Sequence, residues 1–373
     1  MTQAKSLRCL VLTPDAYAGY GGIAQATRDL LRGVKAMPEI AEAVCLSRAR
    51  EDFDPAALPA KLRWNVPRGD SLLSLFQALL RLLWRGARFD LILVTHINLL
   101  PLAWMARLWR GGRIAVLLHG EEAWKPQRQA VVKPLLGAVD SFLSVSDHTR
   151  QRFLQWAPVV PAKVKLHPNC VDLARFTPGP PETGFLARHV LEGKRVLLLV
   201  TRLSPLDAPR KGVDEILAVL PKLAERHSDL AFAVAGKGED RSRIEQRARD
   251  LGVAAEVRLL GFVPEADKVA LYRSAAAYVM PGRVEGFGLV YLEAMACGIP
   301  VLGSRLDASQ EVVEAIGFGA AVDPDDPDAL VAGIERVLAL PAGQRPQGLE
   351  PYSREAHAAR TAALLRALLG GGD

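Results

Sequence analysis

The chain is expected to be an α/β protein made of two Rossmann-like domains, each a parallel sheet clothed by helices. Three observations predict this. Short apolar runs alternate with helical stretches along the whole chain, the pattern of buried parallel strands joined by crossover helices. The alternation restarts after Phe176-Thr177-Pro178-Gly179-Pro180-Pro181, a cluster that can build neither helix nor central strand. At 373 residues the chain is long enough for two domains. The expected division is a first domain over 1–176, a second over 177–352, and a segment over 353–373 whose helix packs back toward the first domain.

In the first domain, residues 7–12 form an apolar strand stopped by Thr13-Pro14. A loop over 15–22 leads into a helix from Ile23 to about Val34. Gly21-Gly22 at that junction either lets the backbone approach a ligand and offer amides to a phosphate, or simply makes a tight turn. Residues 90–95 and 114–118 are continuous apolar runs, hence buried strands. The second ends in His119-Gly120, and open α/β sheets bind ligands beyond strand carboxyl ends. A further strand over 141–146 precedes a helix over 147–156. From Leu72 to Arg88, leucines and Trp84 alternate with Arg81, Arg85 and Arg88. This stretch reads as a core helix, or as a basic amphipathic helix lying on an anionic membrane surface. Residues 99–113 repeat the theme.

In the second domain, a strand over 195–200 runs into Thr201-Arg202, then Arg210-Lys211-Gly212 and a helix to about His227. Two cations in a loop beyond a strand either suit a diphosphate or simply make a solvated basic loop. A strand over 230–235 ends in Gly236. Another over 256–260 ends in Gly261-Phe262-Val263, where an aromatic ring can seat a planar base or pack in the core. Residues 277–280 form a short strand before Pro281-Gly282. Glu285 lies in the loop that follows, and Gly286 and Gly288 open a helix over 289–296 that Gly298 and Pro300 stop. Glu293 falls within that helix's apolar stripe. A carboxylate buried there needs a partner, either a polar ligand or a neighbouring Arg. The acidic run 323–328 caps a helix over 329–340, and a last helix covers about 354–369.

Composition excludes other classes. The four cysteines show no paired spacing, which argues against a disulfide framework or structural zinc and fits a reducing cytosol. No HExxH or second His at ligand spacing appears, so no metal is expected. No signal peptide is read at the amino end. Residues 1–176 carry a net +10 and the remainder −4, so an anionic partner is expected on the first domain. No Arg/Lys run is interleaved with aromatics and no zinc-finger or RNA-binding signature appears, so nucleic acid is not expected.

Taken in order, these residues resemble the retaining glycosyltransferases of the GT-B fold, family 4. The most specific element is Glu285-Gly286-Phe287-Gly288 with Glu293 eight residues after Glu285, followed by Ala294-Met295-Ala296-Cys297-Gly298-Ile299-Pro300. Gly21-Gly22, His119-Gly120, Pro168-Asn169 with Val171-Asp172, Arg202-Leu203 and Lys211-Gly212 follow the family's order. The resemblance implies catalytic roles for His119, Arg202, Lys211 and Glu285. Arg202 and Lys211 would hold the donor's diphosphate, Glu285 would bind the donor sugar, and His119 would contact it near the reacting carbon. Donor binding would further involve Gly22, Gly236, Phe262, Val263, Glu293 on the ribose, and the amides of Phe287, Gly288 and Leu289. Thr201, Cys170 and Gly282 stand where the family usually has Gly, Gly and Ser.

The implied activity is metal-independent, retaining transfer of a hexose from a UDP- or GDP-sugar to a hydroxyl of a glycan or lipid-linked sugar. No cofactor is implied beyond the donor, and no Asp-x-Asp is read where a divalent ion would normally be held between sugar nucleotide and protein. The expected setting is cytoplasmic, at the inner membrane face. A sugar-nucleotide epimerase of the same fold and a catalytically silent sugar-nucleotide-binding subunit are the alternatives.

Overall fold

A computed structural model describes residues 6–17, 21–49, 61–65, 69–126 and 129–370. Residues 18–20 of the first glycine loop therefore lie outside the described residues. The chain divides into two units, one of residues 1–170 with 354–373 and one of residues 171–353.

Among the described residues the first unit holds seven parallel strands: β1 (Leu7–Thr13), β2 (Ile40–Ser47), β3 (Leu62–Asn65), β4 (Leu91–Val94), β5 (Arg113–Leu118), β6 (Ser141–Ser144) and β7 (Val164–Leu166). Their order is β3-β2-β1-β4-β5-β6-β7. Successive side chains of a strand point to opposite faces, and here both faces are covered. Leu10, Leu12, Ile92, Val94, Ile114 and Val116 pack with Leu75, Leu79 and Leu83 of the helix Leu72–Trp84 and Ala103 of the helix Leu100–Arg110. Cys9, Val11, Leu91, Leu93, Ala115 and Leu117 pack with Leu30, Leu31 and Val34 of the helix Gly22–Lys35. The helix Arg354–Gly370 adds Ala362 and Leu365 to that second core.

This last helix is fastened by close approach. Built onto Gly33, a Cβ would lie 2.6 Å from the Thr361 Cβ, so glycine lets the two helices touch. Arg366 bonds Glu39 at 2.6 Å. The buried rings of His167 and His357 meet tilted at 38° with centroids 4.4 Å apart, and Thr361 Oγ1 lies 3.2 Å from His167 Nε2. Burial lowers the pKa of both rings, His357 to about 4.

The helix Leu72–Trp84 serves the core with one face only. Leu73, Trp84, Leu108 and Trp109 are exposed large apolar residues, and Arg81, Arg85 and Arg88 are exposed alongside them. Among the described residues no helix is long and apolar enough to cross a membrane.

The second unit holds six parallel strands: β8 (Arg195–Val200), β9 (Leu230–Ala235), β10 (Val257–Gly261), β11 (Ala277–Val279), β12 (Val301–Ser304) and β13 (Gly319–Val322). Their order is β10-β9-β8-β11-β12-β13. The order reverses between β8 and β11, the switch point where doubly wound sheets open a crevice beyond the strand ends.

The structure corrects the expected linker. The second unit begins at Val171, not 177, because Val171 N–H donates to Tyr352 O at 2.8 Å. The Pro/Gly cluster is strapped to this unit instead of bridging. Arg345 donates to the carbonyls of Leu173 and Phe176, both at 2.7 Å, and Arg273 donates to the Thr177 carbonyl at 2.9 Å. Proline-rich backbone has carbonyls to spare, and two arginines satisfy them.

Gly33→Leu is expected to wedge the terminal helix away from the helix Gly22–Lys35. Overpacking of about 1–3 kcal/mol corresponds to a Tm lower by about 3–9 °C for a unit of this size. Gly137→Ala, where nothing lies within 4 Å of the added carbon, is the control. An unchanged Tm for Gly33→Leu would contradict the close approach.

Candidate active site

The site is built where β8 and β11 end. Beyond β8 the chain runs through Thr201 and Arg202 into a short helix, Asp207–Arg210, then Lys211 and Gly212. Beyond β11 it runs through Pro281 and Gly282 to Glu285 and the helix Leu289–Ala296. Two glycines let these loops meet. Gly212 has φ +86°, and a Cβ there would lie 2.6 Å from the Pro281 carbonyl oxygen. A Cβ on Gly282 would lie 2.9 Å from Arg210 O. The approach brings Lys211 Nζ to 2.8 Å from Glu285 Oε2, each side chain only 19% exposed. Burial works against the Lys211 ammonium, yet Glu285 beside it holds its pKa above the ordinary lysine value. Burial also opposes the Glu285 carboxylate, but Lys211 and the amides of Phe287 and Gly288 hold its pKa below the usual range.

Those amides face Glu285 itself, Phe287 N lying 3.4 Å from Oε1. Gly288 takes φ +95°, which turns the chain into the helix. That helix is buried continuously from Tyr291 to Ala296, so beyond its first two residues it has no single apolar stripe. Phe287 is buried against Tyr352, and Leu289 opens the helix half-buried.

Glu293 is 9% exposed and is satisfied inside the protein. Tyr272 Oη donates to its Oε2 at 2.6 Å, and Lys268 Nζ reaches its Oε1 at 3.4 Å. The partner is thus a lysine and a tyrosine, not an arginine. Lys268 also pairs with Glu265 at 2.8 Å. Burial opposes the Lys268 charge, and Glu293 and Glu265 hold its pKa above the ordinary lysine value. A carboxylate accepts about four hydrogen bonds, so Glu293 keeps capacity for a ligand hydroxyl.

Arg202 stands apart. Its side chain is 82% exposed and is clipped to Asp207, Nε to Oδ2 at 3.1 Å. Asp207 is in turn set by Ser204, whose hydroxyl donates to it at 2.8 Å, and its charge also favours protonated Lys211. The expected cation pair is therefore joined through an aspartate. Phe262 is 48% exposed beyond β10, with Lys237 Nζ 5.3 Å from the ring centroid, and Val263 beside it is half-buried. Gly236 is a packing glycine: φ is +151°, and a Cβ would lie 1.7 Å from Thr201 O.

His119 and Gly22 belong to the first unit. His119 Nε2 lies 2.7 Å from the Thr95 carbonyl, and the His119 main-chain N–H donates to Glu122 Oε1 at 2.6 Å. A carbonyl only accepts, so Nε2 carries the proton and Nδ1 of the neutral ring is an acceptor. Gly21 and Gly22 are exposed at the start of the helix Gly22–Lys35, which has no side-chain cap. Among the described residues no group of three His, Cys, Asp or Glu is placed to hold a metal ion.

Sequence reasoning missed Asp207, Lys268, Tyr272 and Asp307. Lys268 and Tyr272 stand four apart on one helix, a spacing that puts them on one face. Asp307 precedes a helix and reads as an ordinary cap, yet it accepts the Glu285 N–H at 2.9 Å.

Two family models match the chain: "Glycosyltransferase Family 4" over residues 20–175 and "Glycosyl transferases group 1" over 186–356. The chain belongs to the family 4, group 1 glycosyltransferases. A GDP-mannose-dependent alpha-(1-6)-phosphatidylinositol monomannoside mannosyltransferase of Mycolicibacterium smegmatis is 34% identical over 255 residues, 65% of each chain. The phosphatidyl-myo-inositol mannosyltransferase of that organism is 35% identical over 211 residues, 56% of this chain and 51% of the relative. The chain thus spans less than two thirds of either relative's length. Sucrose-phosphate synthase from Thermosynechococcus elongatus matches the fold with a TM-score of 0.77 at 22% identity, over 98% of this chain and all of that one. The fold is GT-B.

The family context frames two departures. Gly282, where a Ser is common, lets the 281–285 loop close on Arg210. Cys170, where a Gly is common, is buried beside Asp29, and burial and that charge push its pKa up.

Lys211→Met strands a buried carboxylate and is expected to cost about 3–5 kcal/mol in urea denaturation at pH 7, with Lys211→Met/Glu285→Leu recovering most of it. The pair stabilises fully between the ordinary carboxylate value, 4.5, and the ordinary lysine value, 10.5. The wild-type advantage should shrink as pH falls below 4.5 through the lowered Glu285 pKa, and as pH rises past 10.5 through the raised Lys211 pKa. A cost under about 1 kcal/mol, as for a surface pair, would contradict this.

Proposed function

We propose that the chain transfers a hexose from a nucleoside-diphosphate sugar, GDP-mannose foremost, to a hydroxyl of a glycolipid acceptor, with retained configuration and without a metal ion. The observation that carries this reading is the Lys211–Glu285 pair at the β8/β11 switch point. The mannosyltransferase names of the relatives support the donor and the acceptor class.

Cleaving a sugar–phosphate bond leaves charge on the departing diphosphate, and fixed cations stabilise it. Lys211 is assigned this role, with Arg202 swinging from Asp207 to join it. Glu285 and the amides beside it are assigned to the sugar, Glu293 to the ribose, and Phe262 to the base. His119 Nδ1, in the first unit, is assigned as an acceptor for a substrate hydroxyl. Double displacement needs a carboxylate poised behind the anomeric carbon. Glu285 is committed to Lys211, which favours attack by the acceptor on the face the diphosphate leaves. The acceptor oxygen bonds to the anomeric carbon, the carbon–phosphate oxygen bond breaks, and the acceptor's proton passes to the departing phosphate. The exposed Leu73, Trp84, Leu108 and Trp109 beside Arg81, Arg85 and Arg88 support docking on an anionic lipid surface.

Incubation with GDP-mannose and a phosphatidylinositol-type acceptor should release GDP, unaffected by EDTA. Lys211→Ala and Glu285→Ala should each lower the rate by about 10²–10³, as lost electrostatic stabilisers do, while remaining folded by circular dichroism. Wild-type rates in folded variants, or donor isomerised without acceptor, would reject the transferase reading. Co-sedimentation with anionic but not zwitterionic liposomes is expected, weakened in Trp84→Ser/Arg85→Ser; binding to neither would reject the membrane contact.

A further inference from the structure

Asp307 is used by no step above, yet it is 2% exposed and lies against the Glu285 loop. Its Oδ2 accepts the Glu285 N–H at 2.9 Å. Its Oδ1 accepts the Ser309 hydroxyl at 2.6 Å and the Ser309 N–H at 3.0 Å. Ala308 N–H donates to the Glu285 carbonyl at 3.0 Å. Both main-chain groups of Glu285 are therefore clamped by the 307–308 dipeptide, and every partner of the Asp307 carboxylate is a donor.

Such an arrangement is strongest when the carboxylate is ionised, because charge-assisted hydrogen bonds are about twice as strong as neutral ones. The charged and titratable groups around it are Glu285 from the same loop region, Lys211 from the loop after β8, and Tyr291 from the helix Leu289–Ala296. Ser309 Oγ also lies 3.3 Å from Ser304 O, so the hydroxyl has a second acceptor when Asp307 is protonated.

We propose that Asp307 is a positioning residue of the donor site, whose ionised carboxylate holds the Glu285 main chain so that the Glu285 side chain meets Lys211, and whose protonation loosens that hold. The proposal rests on the donor-site reading of the Lys211–Glu285 pair. Burial, resisted by Ser309 and reinforced by Glu285, pushes the Asp307 carboxyl up to about 6, so the loosening falls within the range of ordinary assays.

Two measurements test it, one independent of activity. In a thermal double-mutant cycle at pH 8, Asp307→Asn and Lys211→Met should cost less together than the sum of their separate Tm losses, because a loosened Glu285 has less to lose with Lys211. Additive losses would overturn the positioning role, whatever the enzyme's substrate. In the second, kcat/KM for the donor should fall about tenfold as pH drops from 8 to 5, with a midpoint near 6. Asp307→Asn should show the low rate throughout and no acid limb. Ser309→Ala removes a bond that favours the charged form and should move the limb to higher pH. A flat wild-type profile, or an acid limb retained unshifted in both variants, would overturn the switch. A coupled thermal cycle without turnover of any donor would instead point at the transferase reading.

Discussion

A lysine and a glutamate withdrawn from water cannot stand alone, and Lys211 and Glu285 stand 2.8 Å apart at the meeting of two loops. Taking either charge out of water costs several kcal/mol, which a well-placed opposite charge offsets. That constraint dictates the surrounding backbone. Residue 212 takes a left-handed turn against a carbonyl, and residue 282 passes close to another, so both are glycine. The sheet order fixes where this happens, because β8 and β11 are the neighbours between which the strand order reverses. Composition, topology and electrostatics thus converge on one edge of one sheet.

The same logic explains Glu293. A carboxylate on a helix buried all round is tolerated because Tyr272 and Lys268 meet it, and Lys268 is balanced by Glu265 as well. Two carboxylates of the second unit, Glu285 and Glu293, are thus each held by a lysine and each keep unused lone pairs. An ion pair of this kind adds little net stability compared with apolar packing. It does supply preorganised polar groups, which a sugar nucleotide rich in hydroxyls and phosphate oxygens can use. Arg202 is the exposed member, clipped to Asp207 by a contact that a phosphate can replace.

Much of this was legible in the sequence, and the limits are physical. Strands buried on both faces, such as Arg195–Val200 and Leu230–Ala235, announced themselves as continuous apolar runs. The Lys211 and Glu285 loops were recognisable because both follow such strands. Strand Ile40–Ser47 was not, since its alanines and Glu42 lack β character and Glu42 is paired by Arg8 and Arg63. The Pro/Gly cluster was misread as a linker because Arg273 and Arg345, which strap it down, come from far along the chain. Asp307 and Tyr272 likewise gain their meaning only from partners that folding brings near.

The central claim is that the Lys211–Glu285 pair is the seat of the donor's diphosphate and sugar. A crystal structure with a nucleoside-diphosphate sugar tests it most directly. Diphosphate oxygens are expected within hydrogen-bond distance of Lys211 Nζ, with the sugar hydroxyls at Glu285 and the ribose at Glu293. Nucleotide bound away from the carboxyl ends of β8 and β11, with the 2.8 Å pair undisturbed and remote from it, would contradict the account.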